Sequence, residues 1–219
     1  MKRTFPAAIM MCITLAMTGC GDGGHNAPLI VTDILSAPAL DGDIVQNPPG
    51  VFTVTQGMSL SPTIIQSVFA GIDPAAPGAE YRAFLDFPLR ETGGVPRNAI
   101  IELATLDIFI NSIQPLTGTI PILIDLVDFQ PPTLLETDFF NSSLPARATI
   151  SLLIFQADSG NHVFIDVTSL MRKAQSLGLP NFQIRILLDP TAAPGRIEIN
   201  DTTGVNRGVL APLLQVKYF

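Results

Sequence analysis

Proline distribution is the feature that most constrains the fold of this chain. Nineteen prolines are spread over 219 residues. Because proline lacks an amide donor and clashes inside a helix, each one costs a helix interior about 3 kcal/mol. From Ile30 onward, short apolar runs are separated by Pro, Gly, Asn and Asp, a texture typical of strands and turns. The chain is therefore predicted to be all-β.

Alternation of apolar and polar residues marks the individual strands. In residues 80–89, Tyr81 and Leu85 share one face and Arg82 and Asp86 the other. In residues 98–112, the same rule puts Ile101 on the face that carries Thr105 and Asp107. The opposite, apolar face carries Ile100 together with Ala104, Leu106, Ile108 and Ile110. The other predicted strands are 51–55, 59–69, 120–129, 148–155, 162–167, 182–188, 195–200 and 213–219.

One short helix is predicted at residues 169–177. Leu170, Ala174 and Leu177 recur at helical spacing, Asp166 or Thr168 can cap the start, and Gly178 ends it. Eight to ten strands with one helix must bury their apolar faces between two packed layers. The predicted architecture is a two-sheet β-sandwich, jelly-roll-like in topology, formed by a single domain over residues 30–219.

The N-terminal residues have the order of a secretory signal: basic Lys2 and Arg3, an apolar run over 5–17, then small residues before Cys20. The segment Ala16-Met17-Thr18-Gly19-Cys20 resembles the lipobox of bacterial lipoproteins. This resemblance implies removal of residues 1–19 and attachment of lipid to Cys20. An ordinary signal peptide is the alternative, whereas a membrane span would need about 20 apolar residues.

The resemblance also implies a location. Lipid chains would anchor the protein in a membrane outside the cytoplasm, and Gly21 after the cysteine favours the outer membrane in a Gram-negative cell. Residues 20–29 would form a flexible tether. Its Gly-rich part, the eight residues 21–28, reaches only about 16 Å, so the domain should lie close to the bilayer.

Charge and cysteine content exclude several classes of function. Without residues 1–19, ten basic and 19 acidic residues remain, giving a net charge of −9. Such a chain is a poor nucleic-acid binder, since affinity for nucleic acid depends on neutralising phosphates. The two cysteines are Cys12 in the signal and Cys20 at the lipid site. A disulfide, a thiolate metal site and a cysteine nucleophile are therefore not expected in the domain.

Four segments resemble one family of domains. They are 80–87 (EYRAFLDF), 95–106 (VPRNAIIELATL), 164–168 (FIDVT) and 211–218 (APLLQVKY). Their order resembles the disaggregatase-related domains known by the letters DNRLRE, over residues 80–219. This resemblance implies a sandwich like those of carbohydrate-binding modules, a sugar-binding activity and, often, a structural calcium ion.

Enzymatic activity is not predicted. His162 lies near Asp158 and Ser159, but this stretch is typical of a hairpin turn, and a catalytic triad depends on geometry rather than closeness in sequence. None of the five glutamates stands in a recognisable glycosidase context. A hydrolase remains only a third hypothesis, behind polysaccharide binding and the docking of another envelope protein.

Calcium is the metal that the acidic loops suit best, because it prefers carboxylate and carbonyl oxygens. Asp41 and Asp43 precede the sandwich strands, and Asp201 could approach from a later loop, with Asn200 and Asp189 as further donors. The alternative is that Asp41-Gly42-Asp43 is a solvated turn.

Aromatic side chains are the usual platforms for sugar rings, and the chain has no Trp and two Tyr. Phe139 and Phe140 lie in a polar stretch and are the predicted platform. The sequence context favours the alternative, in which they plug one end of the sandwich.

Overall fold

The computed structural model describes residues 28–57, 66–76, 78–91, 93–115, 118–129 and 133–219. Within these residues, no helix is long and apolar enough to cross a membrane. The strands are β1 (Ile30–Leu35), β2 (Gly42–Gln46), β3 (Phe52–Gln56), β4 (Ser67–Ile72), β5 (Glu80–Pro88), β6 (Ile101–Gln114), β7 (Thr119–Val127), β8 (Ala148–Phe155), β9 (Asn161–Asp166), β10 (Asn181–Leu188), β11 (Arg196–Asn200) and β12 (Leu213–Tyr218). The helices are α1 (Thr168–Leu177) and α2 (Arg207–Leu210), with 3₁₀ turns at Glu136–Phe139 and Gln156–Asp158.

All strand pairs are antiparallel, and the sheet curls into two layers. The first layer is built around β6. One edge of β6 pairs with β9, and the other edge pairs with β12 and, farther along, with β11. Strand β1 then pairs with the outer edge of β12, and β4 pairs with the outer edge of β11. The second layer has the order β8-β7-β10-β5-β2-β3. Two residue pairs between β4 and β5 join the layers. The predicted all-β, sandwich-like class is confirmed.

The main core lies between the two layers. It is filled by the inward-facing positions of nearly every strand, because successive residues of a strand point to opposite faces. In β6, Ala104, Leu106, Ile108 and Ile110 are fully buried, and α1 closes one side with Leu170 and Ala174. Such burial is worth about 25 cal/mol for each Å² of apolar surface and dominates the stability of the fold.

A second, smaller core covers the outer face of the second layer. Segment 133–147, between β7 and β8, packs Leu134, Phe139 and Leu144 against Phe84 and Ile44. Arg185 of β10 is fully buried at this place. Its guanidinium donates to Asp125 at 2.6 Å and to the carbonyls of Asp138 and Leu144, which fixes the segment on the sheet.

Helix α1 matches its prediction. It ends at Gly178, which takes the left-handed conformation at φ 68°, where a side chain would be strained. At its start, the carboxylate of Asp166 accepts the N–H of Thr168 at 2.9 Å. The four-residue helix α2 was not predicted.

The strand pattern differs from the prediction in three respects. The described chain has twelve strands rather than eight to ten, since β1 and β2 are also strands. Residues 58–65 of the predicted strand 59–69 lie outside the described residues. In β6, a bulge at Glu102 shifts the register opposite Tyr218. Because one extra residue reverses the faces, Ile101 is buried and Ile100 is exposed, the opposite of the predicted alternation.

Candidate functional site

A row of three rings lies on the outer face of the first layer. Strand β9 alternates, so His162 and Phe164 point outward while Ile165 points into the core. Phe109 of β6 is the cross-strand partner of His162. Ring centroids are 5.2 Å apart for Phe109 and His162 and 6.1 Å apart for His162 and Phe164, the latter nearly parallel at 16°. We call Phe109, His162 and Phe164 the aromatic row.

The middle ring of the aromatic row is held in place by a polar contact. Nδ1 of His162 lies 2.8 Å from Oδ1 of Asp107, which is on the neighbouring strand β6. This contact fixes the plane of the imidazole, against which Phe164 then stacks. Phe164 is 69 % exposed, so most of its surface is open to a ligand.

A cleft of about 740 Å³ begins at Phe164 and runs between β8 and the β9–α1 connection. In the described part of the chain, β8 pairs only with β7 and β9 only with β6, so two sheet edges face this cleft. Its lining mixes apolar and charged side chains, the chief ones being Glu102, Ile150, Leu152, Phe164, Asp166 and Arg172.

Two charged groups of the cleft, Arg172 and Asp166, are held by hydrogen bonds. Arg172 donates to the carbonyl oxygens of Ile101 and Glu102 at 2.9 and 3.2 Å. Hydrogen bonds from the side chain and backbone of Thr168 lower the pKa of Asp166. Asp166 is exposed and therefore offers a charged acceptor at neutral pH.

Polar side chains continue the same face beyond the aromatic row. The carboxylate of Glu198 on β11 accepts hydrogen bonds from the hydroxyls of Ser67 at 2.8 Å and Ser112 at 2.7 Å. The amide of Asn111 donates to Ser67 at 2.9 Å and accepts from Asn200 at 3.0 Å. The face thus presents rings next to an ordered set of hydrogen-bonding groups. This combination suits a ligand with both an apolar face and hydroxyl groups.

The predicted platform of Phe139 and Phe140 is divided. Phe139 is 3 % exposed and packs in the second core, with the Arg82 guanidinium 4.0 Å above its ring. A buried ring cannot stack on a sugar. Phe140 is 43 % exposed and contacts Phe52, so it alone is accessible.

The predicted calcium ligands are also divided. Asp43 lies within β2, where its carboxylate accepts the Thr55 hydroxyl at 2.5 Å and the Phe69 N–H at 3.1 Å. Among the described residues, no three His, Cys, Asp or Glu side chains are grouped so that they could hold a metal ion. The predicted set of Asp41, Asp43 and Asp201 is therefore not assembled. The carboxylate of Asp43 instead links β2 to β3 and β4 through Thr55 and Phe69.

The two further calcium donors have partners of their own. Asp189 is partly buried and accepts the Thr191 hydroxyl at 2.7 Å, whereas Asn200 donates to Asn111. The alternative of a solvated turn also fails, because Asp41 and Asp43 are both buried.

Asp41 and Asp201 do come together as a buried carboxyl pair. Burial, and then the charge of Asp201, raise the pKa of Asp41 well above its ordinary value. Burial raises the pKa of Asp201 to about 6. Oδ1 of Asp41 accepts the N–H of Asp86 at 2.7 Å. Oδ2 of Asp41 and Oδ1 of Asp201 have no hydrogen-bond partner among the described residues.

No protein-family model matches the chain, and a search of curated proteins finds no significant relative. The resemblance to DNRLRE domains therefore rests on the sequence motifs alone. Cys20, the predicted site of lipid attachment, lies outside the described residues.

Sequence reasoning missed the aromatic row, although part of its signal was present. The alternation of His162, Phe164 and Asp166 puts three outward side chains on one short strand. The pairing of this strand with β6, which brings Phe109 and Asp107 beside it, is a long-range contact that no local pattern predicts.

Proposed function

We propose that this protein is a lipid-anchored, non-catalytic lipoprotein of the bacterial cell envelope that binds polysaccharide through its β-sandwich. The binding site in this proposal is the aromatic row together with the cleft that begins at Phe164. The observation that carries the proposal is the exposed ring of Phe164, stacked on His162 and bordered by the charged groups of Asp166 and Arg172.

The chemistry of a sugar ring fits this arrangement. Its C–H face can bury apolar area against Phe164, at about 25 cal/mol for each Å². Its hydroxyl groups can bond the carboxylates of Asp166 and Glu102 in the cleft. The rings and polar groups extend over β9, β6 and β11, which is a surface long enough to contact successive units of a chain rather than a single sugar.

The charge of the protein selects among polysaccharides. The sequence carries a net charge of −7, and the cleft is lined by Glu102 and Asp166. Like charges across an interface oppose binding. We therefore expect neutral or cationic chains to bind and strongly anionic chains to be excluded.

Binding of the purified full-length protein to a panel of bacterial and plant polysaccharides tests this function. Affinity electrophoresis, with and without calcium, would give saturable retardation by one class of neutral or cationic polysaccharide. Absence of binding to every member of the panel would contradict the proposal.

Docking of another envelope protein is the second candidate. It is favoured by the edge of β8 that pairs with no strand in the described part of the chain, where Leu153 and Phe155 are about half exposed. An extended segment of a partner could add to such an edge as a further strand. Crosslinking in intact envelopes, followed by identification of a partner joined to β8, would support this candidate in place of the first.

A further inference from the structure

One end of the first layer exposes a group of large apolar side chains. Leu29 directly precedes β1, and Ile30, its first residue, pairs with Tyr218 of β12. Ile100 and Phe219 exchange two backbone hydrogen bonds of 3.0 and 3.1 Å. Leu29, Ile30, Ile100 and Phe219 are each more than 40 % exposed, and Ile100 reaches 70 %. We call this end of the molecule, including these four side chains, the tether end.

The C-terminal turn of α1 lies beside the same segment. Gln175 of α1 donates to the carbonyls of Pro96 and Ala99, directly before Ile100. The helix therefore ends near this segment, and its last residue, Leu177, is 45 % exposed. Single exposed apolar side chains are ordinary on protein surfaces, but a group of them at one end marks an interaction surface.

The charge around the tether end is opposite to that of the whole protein. Residues 28–31, 89–102, 172–179 and 217–219 contain five basic and two acidic residues, although the full chain has a net charge of −7. The two acids are Glu91 and Glu102. The basic residues are Arg90, Arg97, Arg172, Lys173 and Lys217. Arg90 and Arg97 line one shallow depression beside the end of α1.

Apolar side chains surrounded by basic ones match the surface of an anionic bilayer. In such a surface, apolar groups bury at the headgroup level while Lys and Arg bind lipid phosphates. The folded domain also begins at this end, because Leu29 directly follows the predicted tether. That tether starts after Cys20 and extends only about 16 Å. Of all its surfaces, this end would be held nearest to the membrane.

We propose that the tether end docks directly on an anionic lipid bilayer. Ile30, Ile100 and Phe219 insert among the headgroups, and Arg90, Arg97 and Lys173 contact lipid phosphates. Docking orients the sandwich with the far end of β6, at Gln114, away from the membrane and leaves the aromatic row open at the side. The orientation rests on the lipid anchor of the proposed function, whereas the contacts with lipid do not require it.

The absence of tryptophan from the chain provides a clean test. Ile100→Trp places one fluorescent reporter at the tether end. Val205→Trp is the matched control, because Val205 is 99 % exposed in the loop between β11 and β12. The full-length variants, taken from membranes or from the soluble fraction according to where the protein is found, are mixed with vesicles of phosphatidylethanolamine and phosphatidylglycerol.

The proposal predicts a blue shift of the Ile100→Trp emission and its quenching by brominated lipid, with neither change for Val205→Trp. Replacing Arg90, Arg97 and Lys173 by Gln should weaken binding about fivefold for each charge removed, and pure phosphatidylcholine vesicles should give a smaller shift. A Phe219→Trp reporter repeats the test at a second position.

Three results would overturn the proposal. They are an unshifted Ile100→Trp emission, equal quenching of the Val205→Trp control, or a shift that depends on protein concentration without vesicles. The last result would assign the tether end to contact between copies of the chain. Failure of the lipid anchor would appear separately, as wild-type protein in the soluble fraction with unmodified Cys20.

Discussion

Asp41 and Asp201, which stand 160 positions apart in the sequence, form a buried carboxyl pair between the loop before β2 and the residue after β11. Burial raises the pKa of both groups, to about 6 for Asp201 and well above the ordinary value for Asp41. Burial also raises the pKa of Asp43 and Asp86. The folded protein therefore holds these protons more tightly than the unfolded chain does.

The first prediction concerns pH. Stability from a raised carboxyl pKa is fully present below the unfolded value of 3.8 and is lost as pH rises through about 6. The melting temperature should therefore be higher at pH 5 than at pH 8. Asp201→Asn should raise the melting temperature at pH 8 and reduce the difference in melting temperature between pH 5 and pH 8. The exposed Glu136→Gln control should retain the wild-type slope, and an unchanged slope in Asp201→Asn would contradict the assignment.

The second prediction concerns the buried ion pair. Arg185→Met leaves the carboxylate of Asp125 buried without its partner and removes the anchors of segment 133–147. Loss of one partner of a buried pair typically costs about 3–5 kcal/mol. Urea unfolding should show a loss of this size, whereas the exposed Arg147→Met should change the free energy of unfolding by less than about 0.5 kcal/mol. Equal stability of the two variants would show that Arg185 does not hold the segment.

The third prediction separates the two adjacent phenylalanines. Phe139→Ala removes a ring from the second core and should cost about 3–5 kcal/mol in urea unfolding. Phe140 is 43 % exposed, so Phe140→Ala should cost less and leave polysaccharide binding unchanged. A loss of binding in Phe140→Ala would move the sugar site to the outer face of the second layer.

The fourth prediction concerns the lipid anchor. Cys20→Ser should release the protein from the membrane fraction, whereas Cys12→Ser, which alters the other cysteine, should leave it there. Membrane fractionation and metabolic labelling with a fatty acid give the readout. A Cys20→Ser variant that stays fully membrane-bound and labelled would refute lipidation at this residue.

Local patterns predicted the features of this fold that depend on neighbours in sequence. Strand β8 has its predicted bounds because alternation and flanking turns define it, and α1 ends at Gly178 because only glycine takes a left-handed conformation without strain. The predicted alternation in β6 failed at Glu102, since the bulge there depends on pairing with β12. Strand β2 was missed because Asp41-Gly42-Asp43 resembles a turn.

The site was less predictable than the fold for the same reason. Asp43 was predicted to bind calcium, but β3 and β4, which bring Thr55 and Phe69 to its carboxylate, are separated from it in sequence. Phe139 was predicted as a platform because its neighbours are polar, yet segment 133–147 folds it against Phe52 and Arg82. Each of these contacts depends on tertiary packing, which a single sequence does not encode in a local pattern.

The effect of Phe164→Ala on polysaccharide affinity tests the central claim most directly. The variant is compared with Phe155→Ala, which removes a ring that is 51 % exposed on β8, outside the lining of the cleft. Loss of a stacked ring should weaken binding at least about tenfold, or about 1.4 kcal/mol, with the melting temperature unchanged. Phe155→Ala should bind as wild type. Equal affinity of Phe164→Ala and wild type for the same polysaccharide would contradict the proposed site.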